Sequence, residues 1–291
     1  MTTFEILIDD TFAHTNTDAT LTPVGNKNVL SMINNFEDGE WRYKKFQNFI
    51  WDNIAETSLS LKERECLVDK NHSLLTSAAK NLRLTDKDGD ISKGSELAEI
   101  VLYGIMKHHY KALPVVHKIF YKQNSQDNAK GADSVHIVIE DNGTDFSIWF
   151  GEAKFYNSIE DARLAVIIES VGNSLQTDKI KKENSIITNV IDINYLIENE
   201  TLRNKILKAL SLEESIDNLR PKLHIPILLL HECEITKTQT TLSDDYKNKI
   251  VEYHKQRSES YFKKQIKSLG GLPMYSEINF HIILFPVPNK K

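Results

Sequence analysis

Two apolar segments joined by a turn constrain the fold of this chain more than any other feature. Residues 131–139 and 146–154 both have the pattern of β-strands, and the Asp-Asn-Gly-Thr sequence at residues 141–144 is typical of a turn between them. In such a hairpin the start of the first strand lies beside the end of the second strand. The sequence therefore predicts that the acidic residue opening the first strand meets the acid-x-lysine triplet closing the second.

These charged residues are Asp133 on the first strand and Glu152 and Lys154 on the second. Alternate strand residues share a face, so Glu152 and Lys154 are expected to point one way and Ala153 the other. Mg²⁺ prefers hard oxygen ligands, usually one or two carboxylates with retained waters. We therefore interpret Asp133 and Glu152 as candidate ligands for Mg²⁺ (or Mn²⁺), and the backbone carbonyl of Ala153 as a possible further ligand.

Lys154 is the candidate for orienting an attacking water or neutralising the charge that develops during phosphodiester hydrolysis. A simpler interpretation is a strand-end ion pair of Glu152 with Lys154 beside an exposed Asp133. The apolar run that precedes Glu152 favours the functional interpretation, because charges at the end of a buried strand are costly unless they are paired or bind a metal.

A helix predicted from about residue 95 to 110 offers a third carboxylate. Glu96 lies near the edge of its apolar stripe and Glu99 lies one turn further on. Either side chain could hold a metal-bound water, and Glu96 is the preferred candidate for the site. The alternative is that both are solvated helix acids.

The order of a helix glutamate, an aspartate and a Glu-x-Lys triplet across two strands, followed by a helix, resembles the core of the PD-(D/E)xK restriction-endonuclease-like superfamily. More closely, three sequences resemble the HamA family, the nuclease subunits of the Hachiman anti-phage defence system. They are Gly-Ser-Glu-Leu-Ala-Glu-Ile-Val-Leu-Tyr at 94–103, Lys-Gly-Ala-Asp at 130–133 and Gly-Glu-Ala-Lys-Phe at 151–155. The resemblance is clearest from Gly94 to about Gln176.

The resemblance implies Asp133 and Glu152 as metal ligands, Lys154 as the catalytic lysine and, less directly, Glu96 as a site residue. It also implies a metal-dependent DNase with little sequence specificity. Such a protein pairs with a HamB-type superfamily-2 helicase that keeps it inactive until infection is sensed. Ala132 departs from the superfamily pattern, because it stands where the nominal proline would be.

The overall composition constrains the function and location of the protein less closely than these motifs do. The chain has 291 residues and a formal net charge of −5, which argues weakly against a protein that coats nucleic acid but leaves room for a nuclease with a local basic rim. No apolar run has membrane-spanning length, and no signal peptide is recognisable at the N-terminus. The two cysteines are far apart and fit a reducing cytoplasm.

The pattern along the chain predicts a mixed α/β fold. It comprises an N-terminal, mostly helical accessory region at residues 1–91 and a nuclease-like domain with a central sheet flanked by helices at residues 92–291. Other expectations are a first strand, a helix capped by a serine, a proline-containing strand that lies at a sheet edge or carries a bulge, a long charged helix and a final strand. These are assigned to Phe4–Ile8, Ser158, Leu223–Leu230, Asp244–Leu269 and Ile278–Phe285.

Two alternative functions remain open from the sequence. One is a sequence-specific restriction or DNA-repair nuclease, and the other is a nuclease-like regulatory subunit without catalysis. For DNA contact, the basic residues on the long helix are one candidate, although a solvated helix with one packed face is the simpler interpretation. The lysines within residues 179–182 are a better candidate for phosphate contact.

Overall fold

The computed structural model describes residues 4–82, 95–116, 119, 132–140, 142–189 and 192–289. Within these residues, seven strands form one central sheet in the order β1-β2-β9-β8-β7-β6-β5, and two short strands form a separate hairpin. The strands are β1 Glu5–Thr11, β2 Lys27–Ile33, β3 Phe36–Glu37, β4 Glu40–Trp41, β5 Leu113–Val116, β6 Ser134–Ile139, β7 Phe146–Tyr156, β8 Leu223–Glu232 and β9 Asn279–Val287.

Helices cover both faces of the sheet. They are α1 Phe12–Thr15, α2 Tyr43–Ser58, α3 Leu61–Cys66, α4 Asn71–Lys80, α5 Ser95–His108, α6 Asp161–Ser174, α7 Thr177–Asn189, α8 Asp192–Leu196, α9 Glu200–Ala209, α10 Ile216–Leu219, α11 Glu234–Lys237 and α12 Asp244–Leu269, with short 3₁₀ helices at Arg220–Lys222 and Tyr275–Glu277. Among the described residues, none of these helices has the length and apolar character needed to cross a membrane.

The sheet is mixed, which confirms the predicted α/β class. Its centre, β2-β9-β8-β7, is parallel, whereas β1, β6 and β5 are antiparallel to their neighbours. The central strands are buried on both faces and read as nearly continuous apolar runs, as parallel strands between two helical layers do. The site described below lies where the parallel part meets the antiparallel part.

Two hydrophobic cores lie on opposite faces of β7. Trp149 and Ala153 point into the core formed with α2 and α5, whereas Ile148 and Phe150 point into the core formed with α6 and α12. This alternation follows from the two-residue period of a strand, and it assigns every side chain of β7 to one layer.

The N-terminal region differs from the prediction of a mostly helical accessory region. Its helices α2 to α4 are present, but β1 and β2 belong to the central sheet, where β2 pairs in parallel with the last strand, β9. The pairing of two strands so distant in sequence leaves no local signal, which is why the sequence did not reveal it. The proposed boundary at residues 91–92 lies outside the described residues.

Strand β8 lies in the middle of the sheet, so of the two alternatives predicted for its proline, an edge position or a bulge, the edge position is wrong. Pro226 is accommodated because pairing between β7 and β8 stops beside it: Trp149 pairs with His224, and the next pair is Glu152 with Ile227. On the other side Pro226 stays in register with His281. The missing N–H of proline is thus placed at a short gap in one ladder.

The helix after β7 begins later than predicted. Its N-cap is Glu160, without a side-chain cap hydrogen bond, so the assignment of Ser158 as N-cap is wrong. The long helix α12 spans Asp244–Leu269 as predicted, with Ser243 as its cap, and β9 covers the predicted final strand.

Candidate active site

The β6–β7 hairpin fixes the position of the candidate site. Ser134 pairs with Gly151 at the end of the β6–β7 ladder, and the Asp133 N–H donates to the Gly151 carbonyl at 2.7 Å. Asp133 therefore lies directly beside this last pair. A Cβ on Gly151 would overlap the side chains of Ser134 and Leu102, so a glycine is required for this close approach of strand and helix.

Three charged side chains meet at this end of the hairpin. Lys154 Nζ lies 3.1 Å from Asp133 Oδ2 and 2.7 Å from Glu152 Oε1. One ammonium therefore bridges two carboxylates, as expected from the hairpin geometry. The structure thus brings Asp133, Glu152 and Lys154 together, and their roles in catalysis and metal binding remain a prediction.

Additional hydrogen bonds hold both carboxylates in place. The Ala153 N–H donates to Asp133 Oδ2 at 3.1 Å, and the Ser170 hydroxyl of α6 donates to Glu152 Oε1 at 2.6 Å. The carbonyl of Ala153 faces the same side as its N–H, because both groups of one strand residue point to the same neighbour. Ser170 was not predicted from the sequence, although it is a polar residue between the buried Ile167 and Val171 of α6.

Burial and the neighbouring charges shift the pKa values of Glu152 and Lys154. Only 6% of the Glu152 side chain is exposed, and burial raises its pKa, as does the neighbouring Asp133 charge, while Lys154 and Ser170 counteract the increase. Burial alone would lower the pKa of Lys154, but Asp133 and Glu152 outweigh it and raise the pKa above its usual range. The lysine therefore stays protonated and supplies the positive charge that the two carboxylates need.

The donor set suits a hard divalent cation. Asp133 and Glu152 already share one cation, the lysine ammonium, and Mg²⁺ commonly takes one or two carboxylates and keeps several waters. Within the part of the chain that the structure describes, no group of three or more His, Cys, Asp or Glu side chains could hold a metal together. A metal here would therefore bind to the two carboxylates, with the Ala153 carbonyl and water as the remaining candidates.

Glu96 and Glu99 are not solvated helix acids, because only 9% and 4% of them is exposed. Tyr110 follows the C-terminal end of α5, and its ring contacts that of Trp149 in a tilted arrangement with centroids 4.7 Å apart. The first turn of α5 therefore lies towards the site end of β7. The helix packs on the face that carries Ala153, whereas Glu152 and Lys154 project from the other face. Glu96 is thus placed at the same end of the sheet, and its participation in the site stays a prediction.

Most basic residues on α12 are already paired with acids. Six of its side chains form ion pairs, namely Lys247 with Glu5, Lys249 with Asp245, Lys255 with Glu252, Arg257 with Glu160, Lys263 with Asp18 and Lys264 with Asp161. This pairing favours the simpler interpretation of a solvated helix with one packed face. On α7, Lys181 donates to the Leu212 carbonyl at 3.4 Å.

Fold and geometry together define the class of this protein: an α/β protein with a nuclease-like core, in which a hairpin gathers two carboxylates and a lysine. A comparison with protein families agrees, since the HamA family model matches residues 7–291. The chain therefore belongs to the HamA family, which associates it with Hachiman anti-phage defence. A search of curated proteins finds no match.

Proposed function

We propose that this protein is a metal-dependent DNA nuclease of low sequence specificity that acts as the effector of Hachiman defence. The observation that carries the proposal is Lys154 held between Asp133 and Glu152 at one end of the β6–β7 hairpin. Membership of the HamA family supports it independently of that geometry.

In this proposal each residue has a separate task. Asp133 and Glu152 would hold Mg²⁺ or Mn²⁺, which supplies charge stabilisation and a more acidic bound water. Ala153 N–H and Ser170 keep the two carboxylates oriented before substrate arrives. Lys154, kept protonated by its neighbours, would stabilise the negative charge on the phosphoryl oxygens or orient the attacking water. Glu96 remains a candidate for a metal-bound water.

Plasmid degradation in Mg²⁺ or Mn²⁺ tests the assignment of the site. We expect Glu152→Ala and Lys154→Ala each to reduce the rate by on the order of a hundredfold or more. Asp145→Ala is the matched control, because Asp145 pairs with Lys222 and Lys205 at the opposite end of the same hairpin. Cleavage that survives both site substitutions would reject the assignment.

The product pattern and metal binding separate the two alternatives. Discrete fragments instead of a smear would indicate a sequence-specific restriction or repair nuclease. An absence of divalent-cation binding in calorimetry would indicate a nuclease-like regulatory subunit without catalysis. The proposal predicts a smear and measurable binding.

The family further suggests a HamB-type superfamily-2 helicase as partner, and we propose that this partner keeps the nuclease inactive. The excess of acidic over basic residues is compatible with such control, since it limits the affinity of the free chain for DNA. Equal nuclease rates with and without the helicase would reject the inhibition. We place the protein in the cytoplasm, where DNA is accessible and where two unpaired thiols such as Cys66 and Cys233 persist.

A further inference from the structure

Tyr156 lies beside the candidate site but was not identified from the sequence. It ends β7, two residues after Lys154 and four after Glu152, so the three side chains share one face of the strand. Its hydroxyl oxygen is buried and has no hydrogen-bond partner among the described residues. An unpaired buried hydroxyl is costly, and such exceptions in native proteins call for a functional or structural explanation.

The surroundings of this hydroxyl connect it to the site charges. Burial raises the pKa of Tyr156, with opposing influences from Lys154, which lowers it, and Glu152, which raises it further. Arg163, an exposed residue of α6, also lowers it. The phenol therefore lies within electrostatic range of the lysine while forming no hydrogen bond to it in this structure.

Lys154 occupies the space between the carboxylates that a bound divalent cation would need. Its ammonium is 2.7 Å from Glu152 and 3.1 Å from Asp133, and two positive ions cannot share this position because they repel each other. When the carboxylates bind a metal, Lys154 must move and find another acceptor. A lysine that lost its partners in a site where only 26% of its side chain is exposed would be strongly disfavoured.

We propose that Tyr156 is a positioning residue whose hydroxyl oxygen accepts a hydrogen bond from Lys154 once a divalent cation takes its place between Asp133 and Glu152. The inference rests on the proposed metal-dependent function. It gives a role to a buried phenol oxygen, two residues beyond the lysine, that has no hydrogen-bond partner among the described residues. It also gives Lys154 a defined position from which to act on a bound phosphodiester.

Calorimetric titration with MnCl₂ in the absence of DNA tests this exchange without measuring cleavage. Lys154→Met removes the competing ammonium and should bind Mn²⁺ about tenfold more tightly than the wild type. Tyr156→Phe removes the acceptor for the displaced lysine and should bind about tenfold more weakly. In the Lys154→Met background, Tyr156→Phe should have no effect on Mn²⁺ affinity, because no lysine remains to donate a hydrogen bond to the Tyr156 hydroxyl.

Two controls separate this result from a folding defect. Tyr156→Phe should not lower the urea midpoint, since it removes a hydroxyl that has no described partner. Tyr110→Phe changes a tyrosine whose ring contacts Trp149 on the opposite face of the sheet, and it should leave Mn²⁺ affinity unchanged.

The results of the Mn²⁺ titrations distinguish a failure of the role of Tyr156 from a failure of the metal site. Wild-type affinity in Tyr156→Phe, or an equal loss of affinity with and without Lys154, would overturn the role of Tyr156 while leaving the metal site intact. A wild-type protein that binds no divalent cation would overturn the proposed function itself, and the inference with it.

Discussion

Acidification should destabilise this protein through four histidines that the fold buries in pairs. His231 of β8 and His254 of α12 lie with ring centroids 5.3 Å apart, and His224 Nδ1 lies 2.8 Å from His281 Nε2. Burial lowers the pKa of His224 and of His231 to about 4, although a bond to the Leu229 carbonyl opposes the shift at His231. Burial and the neighbouring histidines also hold the pKa of His254 and of His281 well below its usual value.

The sign of the effect follows from proton binding. Each folded-state pKa lies below the unfolded value of 6.5, so the unfolded chain binds more protons at acidic pH. Stability is therefore fully present above about pH 6.5 and falls as the pH decreases towards 4. One pKa unit corresponds to about 1.4 kcal/mol, so His231 alone should cost about 2 kcal/mol at about pH 5. His224 should cost a similar amount.

Urea denaturation at neutral pH and at about pH 5 measures this dependence. The wild type should lose at least about 4 kcal/mol of unfolding free energy between the two conditions, a large part of the stability of a typical domain. His231→Gln should reduce that loss by about 2 kcal/mol. His14→Gln is the matched control, because His14 is exposed and pairs only with Asp10 among the described residues.

A pH dependence of stability that His231→Gln leaves unchanged would contradict the role of His231. Such a result would mean that the imidazole is protonated in the folded state at about pH 5, in spite of its full burial.

Two further predictions concern the packing and orientation of the site. Gly151→Ala should lower the unfolding free energy by about 1–3 kcal/mol in urea denaturation, because its Cβ would overlap neighbouring side chains, whereas Gly25→Ala, which meets nothing, should be nearly neutral. Ser170→Ala should reduce the rate of plasmid cleavage by about tenfold, because Glu152 loses its hydroxyl donor. Ser174→Ala on the same helix should leave that rate unchanged, and equal rates for both serine variants would contradict the role of Ser170.

The hairpin and its charged end could be predicted because the information is local. Alternation along β7 and a turn of defined composition place Asp133, Glu152 and Lys154 together without knowledge of the rest of the chain. The long helix α12 was equally predictable, since the glycine at position 270, where it ends, is a local sequence signal.

The features that the sequence did not reveal depend on contacts between distant segments. The parallel pairing of β2 with β9 joins the second strand of the chain to the last one. The central position of Pro226 is possible only because the ladder of β7 is interrupted beside it, which no pattern within β8 indicates. Ser170 and Tyr156 contribute through proximity to the charged residues, and neither residue type is distinctive at its position.

The role of this hairpin end in catalysis is tested by the single-turnover rate of DNA cleavage by Glu152→Gln in saturating Mg²⁺. The substitution keeps the size of the side chain and removes the charge that would bind the cation beside Asp133. We expect a rate lower by on the order of a hundredfold or more, with an unchanged urea midpoint. A variant that cleaves DNA at the wild-type rate would contradict the assignment of this hairpin end as the active site.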